Sequence, residues 1–442
     1  MTEAAPNLKN IAQDILQEAS RLGASQAEVS VHGSKGFSVT ARQGDVETVE
    51  YNQDKAIEIT VYVGKRSGSA SLSDTRPEAI RSAVEAACHI ARFTDEDPAS
   101  GLAGADELAM DYREPNLFFP WAITVDRAIQ LAIACEAKAL AQDKRITSSE
   151  GVSVATVEGS YVYANSLGFV GAYSATRHEL SCVLIAKQQE EMQRDYSYTV
   201  SCDPDLLESI DVVAKQAVDR TVRRLGARRL STRKAPVIYI AEEARSLLGH
   251  FVSAIQGGNL YRKSSFLFDC LHKPVFVPHM HIQENPHLAK GLGSAPFDGD
   301  GVATRANVFI DGGVLQNYAL GVYSARKLNM KTTGNAGGVH NLIVSTGEKT
   351  LSELLKTMGT GLLVTEMMGN GVNLVTGDYS RGASGFWVEN GEIQYPVQEI
   401  TVAGKLQEMY GSRLAEIGAD VDVRGNIRTG SVLLDEMTIA GD

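Results

Sequence analysis

Cysteine is scarce in this chain and poorly arranged for cross-linking. Its five cysteines, at 88, 135, 182, 202 and 270, are an odd number, widely scattered, with no C-x-x-C pair. That argues against a disulfide framework or a cysteine-based zinc site and suits a reducing cytoplasm. Long apolar runs are missing too: no stretch approaches the roughly 18 to 20 residues of a membrane span. The opening MTEAAPNLKN has neither the basic nor the apolar region of a signal peptide, so neither export nor membrane anchoring is expected. Positive charge is in deficit, with 42 Lys and Arg against 54 Asp and Glu and a net charge of -12. Nucleic acid is therefore not an expected partner, because affinity for phosphate comes from clustered cations. The one dense basic run, Arg223 to Arg229 with Arg233 and Lys234, reads as the solvated C-terminal end of a helix. Phosphate loops of the G-x-x-x-x-G-K-[ST] and G-x-G-x-x-G kinds are missing, and Gly382-Ala383-Ser384-Gly385 lacks the spacing of a nucleophile elbow.

What is present is an ordinary globular composition: 442 residues, 43% apolar and 22% charged, with a mean hydropathy of -0.12. That length suggests about three domains. Leu8, Ile11, Ile15, Ala19 and Leu22 recur at helical steps, with Gly23 as the stop. Alternating strands follow at 28–31, 37–39 and 57–63, with turns expected at Gly33 to Gly36, Gln43 to Asp45 and Gly64 to Gly68. A second helix starts at Pro77 and runs to Ala91, and the polar run 94–101 closes the unit. The layout then repeats: a helix from Asp126 to Leu140, strands near 152–157, 161–164, 169–173 and 180–185, and a long helix from Leu206 to Leu225.

Of the 41 glycines, 13 lie in the first 228 residues and 28 in the last 214, so a turn-rich β region begins there. Strands are expected at 236–240, 274–278, 307–310, 385–389 and 398–403, and helices at 242–255 and 351–358. The order is not one of alternating βα units. The expected class is α+β: an N-terminal helix-plus-meander domain over 1–115, a middle domain of the same kind over 116–228, and a glycine-rich, mainly β domain over 229–442.

Four of nine histidines, His272, His279, His281 and His287, fall within sixteen residues. On a strand, His279 and His281 would share one face and grip a metal with Glu284 or His287; the flanking Pro278 and Pro286 equally fit an exposed loop. On the helix at 242–255, Glu243 and His250 are two turns apart on one face.

Several stretches resemble the TldD/PmbA family, whose bacterial and archaeal members are also called modulators of DNA gyrase. They include Gly44-Asp45-Val46-Glu47, Thr176-Arg177-His178, Gly257-Gly258-Asn259-Leu260-Tyr261-Arg262, Tyr323 to Leu328, Met358 to Leu362, Gly377 to Ala383 and Phe386 to Ile393. The similarity runs over essentially the whole chain and points to the PmbA branch, also called TldE. In the TldD branch the resemblance implies a helix with H-E-x-x-x-H, whose histidines hold zinc with a later cysteine while the glutamate activates water. Laid onto this chain, the first His falls on Arg245, the Glu on Ser246, the second His on His250 and the cysteine on Arg424. The resemblance therefore implies no catalytic residue, metal or cofactor in this chain. It implies zinc in a TldD-like partner, a heterodimer with that partner, and extended peptides as substrates. Gly257, Gly258, Tyr261, Arg262, Asp378, Tyr379 and Arg381 are the candidates for lining the peptide channel. An isolated chain can form a homodimer through the surface meant for its partner. Two alternatives stay open: a stand-alone metallohydrolase using His250, His279 and His281, and a non-enzymatic regulator of DNA gyrase.

Overall fold

The computed structural model describes residues 4–441. Helix α1 (Ala4–Arg21) buries Leu8, Ile11, Ile15 and Ala19, and Gly23 ends the turn with a φ of 89°. Strands β1 (Gln26–Arg42), β2 (Asp45–Val63) and β3 (Arg66–Leu72) precede helix α2 (Pro77–Phe93). After a linker come α3 (Val125–Gln142), β4 (Ile146–Asn165), β5 (Val170–Gln188), β6 (Glu191–Ser201) and α4 (Ile210–Val222). The strands form one antiparallel sheet in the order β3-β2-β1-β4-β5-β6. Both helix-plus-meander segments thus feed a single sheet, joined where Glu28 to Ala41 pairs with Asn165 to Val152. Val29, Val31, Val39 and Ala41 alternate onto one face of β1; the first two pack with α1 and α2, the last two with α3 and α4.

Three sequence expectations change here. Gly33 and Gly36 lie inside β1 and make no turn; a Cβ on Gly36 would stand 2.1 Å from the Thr156 carbonyl oxygen, so the glycine serves close approach of β4. The four short strands expected between 152 and 185 are two long ones, β4 and β5, and β6 was not foreseen. The long helix expected from Leu206 is shorter: a 3-10 turn at Pro204–Leu206 precedes α4, which starts after the Ser209 cap.

The C-terminal region begins with β7 (Arg233–Tyr239), α5 (Ala241–Ile255) and α6 (Gly257–Tyr261). It continues through β8 (Ile282–Glu284), β9 (Asn307–Asp311), β10 (Val314–Leu315), α7 (Val322–Lys327), β11 (Leu342–Val344) and α8 (Leu351–Met358). It closes with β12 (Gly361–Met368), β13 (Val372–Asn373), β14 (Asp378–Glu389), β15 (Glu392–Lys405), α9 (Leu406–Tyr410), β16 (Leu414–Ile417), β17 (Ile427–Arg428) and β18 (Val432–Ala440). Strands β12-β7-β18-β15-β14 run side by side, and a β12–β14 pairing closes them into a barrel, with β13 on β14 and β16 on β18. A second sheet has the order β10-β9-β8-β11-β17. The strand expected at 274–278 is a loop held by one bridge from Pro274 to Val314, as its two prolines cannot donate to a ladder. The fold is α+β, and no helix of the described residues is long and apolar enough to cross a membrane.

Candidate functional site

Helix α5 leaves the barrel strand β7 with Glu242 and Glu243 in its first turn, where carboxylates suit the positive end of the helix dipole. Leu247, Leu248, Phe251 and Ile255 bury one side of it in the core, which fixes where the polar side points. That side carries Arg245, Ser246 and His250.

Arg245 and Arg424 meet in a network of charges. Arg424 donates from Nε to Asp422 Oδ1 at 3.0 Å and from Nη2 to Glu242 Oε2 at 3.1 Å, and its guanidinium lies over the Tyr198 ring at 4.5 Å. Arg245 donates to the Tyr198 hydroxyl at 3.0 Å and stands 3.4 Å from Asp422. Arg220 on α4 reaches Glu242 at 2.8 Å, and Arg224 bridges Asp195 at 3.3 Å and Glu366 at 2.5 Å. Burial pushes the carboxyls of Glu242 and Asp422 up, but the guanidinium groups of Arg220 and Arg424 at the first, and of Arg424 and Arg245 at the second, outweigh it and hold both below the usual range. The network ties the six-stranded sheet and α4 to the barrel region. Sequence reading missed Tyr198, Arg220, Glu242 and Asp422, and it took the run at 223–229 as solvated. Of that run Arg224 is largely buried in this network, while Arg223, Arg228 and Arg229 are exposed as expected, Arg223 lying over Phe386 at 4.8 Å and Arg229 pairing with Glu399.

Beside the network lies a second polar group. Arg381 on β14 donates to Ser246 Oγ at 2.7 Å and to the Gly369 carbonyl at 2.9 Å. His250 sits edge-on to Tyr379 at 5.9 Å, and its buried Nε2 makes no hydrogen bond with any described residue. Burial, then the cation of Arg381, lowers His250 to about 4, so the ring is neutral near pH 7. Burial, then the neighbouring Glu242, pushes Glu243 up to about 7. Tyr379 is a core residue, while Asp378 is exposed and pairs with Lys405 at 3.1 Å.

The other channel candidates are elsewhere. Gly257, Gly258 and Tyr261 line a cavity of about 410 Å³ with Asp300, Tyr323, Asn335 and Gly338. Arg262 stands at its rim, its guanidinium 5.1 Å from the Tyr261 ring. Asn335 is held by the buried Glu284, which also accepts from Asn307 at 2.8 Å and from the His340 backbone N–H. Burial raises the Glu284 carboxyl, yet hydrogen bonds from His340 and Asn335 outweigh it and keep it low. His281 is exposed and faces Asp311 at 2.8 Å. Among the described residues no three His, Cys, Asp or Glu side chains are grouped to hold a metal ion, so His250, His279 and His281 do not form the metal set considered from sequence.

Three family models match the chain in order: PmbA/TldA metallopeptidase domain 1 over 27–91, the central domain over 119–225 and the C-terminal domain over 232–441. The chain is similar to the metalloprotease PmbA of Escherichia coli O157:H7, with 49% identity covering 94% of this chain and 92% of that one. With the metalloprotease PmbA homolog of Haemophilus influenzae the identity is 48%, covering 96% and 94%. Among solved structures, one from Bacteroides thetaiotaomicron, described as a candidate modulator of DNA gyrase, superposes with a TM-score of 0.92 at 27% identity, covering 98% of this chain and 99% of that one. TldE from Thermococcus kodakarensis shares the fold, with a TM-score of 0.80 at 17% identity over 98% and 100%.

Proposed function

Because the chain belongs to the PmbA/TldA metallopeptidase family, we propose that it is the TldE-like subunit of a cytoplasmic metalloprotease complex that hydrolyses peptides and unfolded small proteins. In this reading a TldD-like partner holds the zinc, and this chain lines part of the peptide channel. The observation that carries it is the occupation of the metal-motif positions by Arg245, Ser246 and Arg424, with both guanidinium groups paired to carboxylates. Zinc requires converging neutral or anionic donors and, in catalysis, an open position for water. Guanidinium has no lone pair to give and repels the ion. One imidazole, His250, remains, and these residues do not fit the metal. The carboxylates of Asp422 and Glu242 that pair with Arg424 are already neutralised by arginine.

The cavity at Gly257, Gly258 and Tyr261 supports the channel role, since glycine lets an extended substrate approach the backbone closely. The test is to purify the chain alone and with a TldD-like protein, measure zinc, and assay an unstructured peptide with and without chelator. The expected result is a chain that is metal-poor and inert alone and a mixture that cleaves until chelator is added. A chain that alone binds one zinc and cleaves overturns the reading.

A further inference from the structure

The six-stranded sheet is unevenly finished at its two edges. At one, β6 packs against the C-terminal region, with Gln193 donating to Gln398 at 2.7 Å and Tyr196 donating to Glu242 at 3.4 Å. At the other, β3 covers β2 only from Ile57 to Val63. From Asp45 to Asp54 no described residue pairs with the outer edge of β2, and all ten residues are exposed. Ten residues of strand span roughly 34 Å of open N–H and C=O groups. Proteins usually blunt such an edge, since it templates another strand.

This edge is held in shape. The hairpin turn has positive φ at Gln43 (56°) and Gly44 (78°), and both of their N–H groups donate to the buried carboxylate of Glu136, at 2.9 and 2.8 Å. Val49 and Tyr51 lie opposite Val39 and Phe37, and Val46 opposite Ala41, so all three project on the helix-covered face beyond the helices, with 38%, 73% and 39% of their surface exposed. Four carboxylates, Asp45, Glu47, Glu50 and Asp54, stand on the same ten residues, which contain no Lys or Arg. Antiparallel pairing with a second copy centred on this edge would set Asp45 against Asp54 and line up eight carboxylates, an arrangement that disfavours itself. A basic strand would be complementary.

We propose that the Asp45–Asp54 edge of β2 is a docking edge to which the TldD-like partner adds a strand bearing Lys or Arg side chains. This rests on the subunit reading above and adds the surface through which the subunits join. The experiment is amide hydrogen exchange of the full chain, free and mixed with the TldD-like protein, alongside affinity measurements on Glu47→Lys with Glu50→Lys. The expected result is a complex in which alternate amides of 45–54 slow at least tenfold, and a double variant that stays folded but binds roughly tenfold more weakly at low salt, with a smaller loss at high salt. A complex that forms while these amides exchange as in the free chain overturns the docking edge and leaves the subunit reading standing. Failure to form any complex removes both. Protection of 45–54 in the free chain together with a dimer by sedimentation assigns the edge to self-pairing and overturns the choice of partner.

Discussion

The guanidinium of Arg424 lies over the ring of Tyr198 at 4.5 Å while its Nη2 donates to Glu242 at 3.1 Å, so one side chain joins the six-stranded sheet to the first turn of α5. The carboxylates it serves, Glu242 and Asp422, keep 8% and 5% of their side-chain surface. Removing one partner of a buried pair leaves the other charge desolvated, which costs more than the pair contributes. Arg424→Ala is expected to lower unfolding free energy by about 2 to 4 kcal/mol. Arg229→Ala, which breaks an exposed pair with Glu399, should cost less than about 1 kcal/mol. Urea unfolding of both variants checks the contrast; equal losses would mean the network is not a clamp.

Two groups on one face of α5 pull stability in opposite directions with pH. Glu243 is raised to about 7 from an ordinary 4.5, so the folded state holds its proton longer than the unfolded one and stability falls as pH rises between those values. His250 is lowered to about 4 from 6.5, so its contribution is complete above 6.5 and is lost as pH falls toward 4. Glu243→Gln should therefore match the parent near pH 4 and exceed it above pH 7. His250→Phe should remove part of the acid-side loss, the ring still facing Tyr379. Urea midpoints across pH 4 to 8 provide the check, and parallel curves for parent and variants would contradict both assignments.

The helices were legible because their burial follows a simple period: α2, α3, α5 and α8 lie within a few residues of the spans that Ile80, Val84 and their counterparts predict. Strand length was not, because Gly33 and Gly36 look like turn residues in a linear reading and prove to be contact residues only once β4 is beside them. For the site, Arg245, Ser246, His250 and Arg424 could be picked out by their positions in a motif. Their partners could not: Tyr198 and Arg424 are 226 residues apart, and nothing local to either predicts the meeting. Gly257, Gly258 and Tyr261 share one cavity, whereas strand alternation leaves Asp378 in solvent and turns Tyr379 and Arg381 to the other face, where they meet His250 and Ser246 of α5.

In the proposed channel, Tyr261 acts on substrate binding without touching metal. Its ring meets Tyr323 edge-on at 5.7 Å on the wall of the 410 Å³ cavity, under the Arg262 guanidinium. Truncating an aromatic wall removes contact area worth about 1 to 1.5 kcal/mol, or roughly tenfold in affinity. In the assembled complex Tyr261→Ala should raise KM for an unstructured peptide about fivefold to tenfold, with kcat and zinc content little changed, and Tyr261→Phe should restore it. Steady-state kinetics decide this, and an unaltered KM in Tyr261→Ala would take the cavity out of the channel.

Gly36 tests whether the two helix-plus-meander segments depend on one another. A Cβ there would stand 2.1 Å from the Thr156 carbonyl oxygen and 3.0 Å from Val157 Cα, both backbone atoms of β4 that cannot swing aside. Gly36→Ala must push β1 from β4 at the seam that makes one sheet of the two segments, at a cost of about 1 to 3 kcal/mol. Gly64 offers the comparison: its φ of 63° strains any larger residue, but nothing lies within 4 Å of the added carbon. Gly64→Ala should lose about 1 kcal/mol through local strain and leave the seam intact. Hydrogen exchange separates the two outcomes, because Gly36→Ala is expected to speed exchange on both sides of the β1–β4 pairing, across residues 28–41 and 152–165, whereas Gly64→Ala should affect the β2–β3 turn alone.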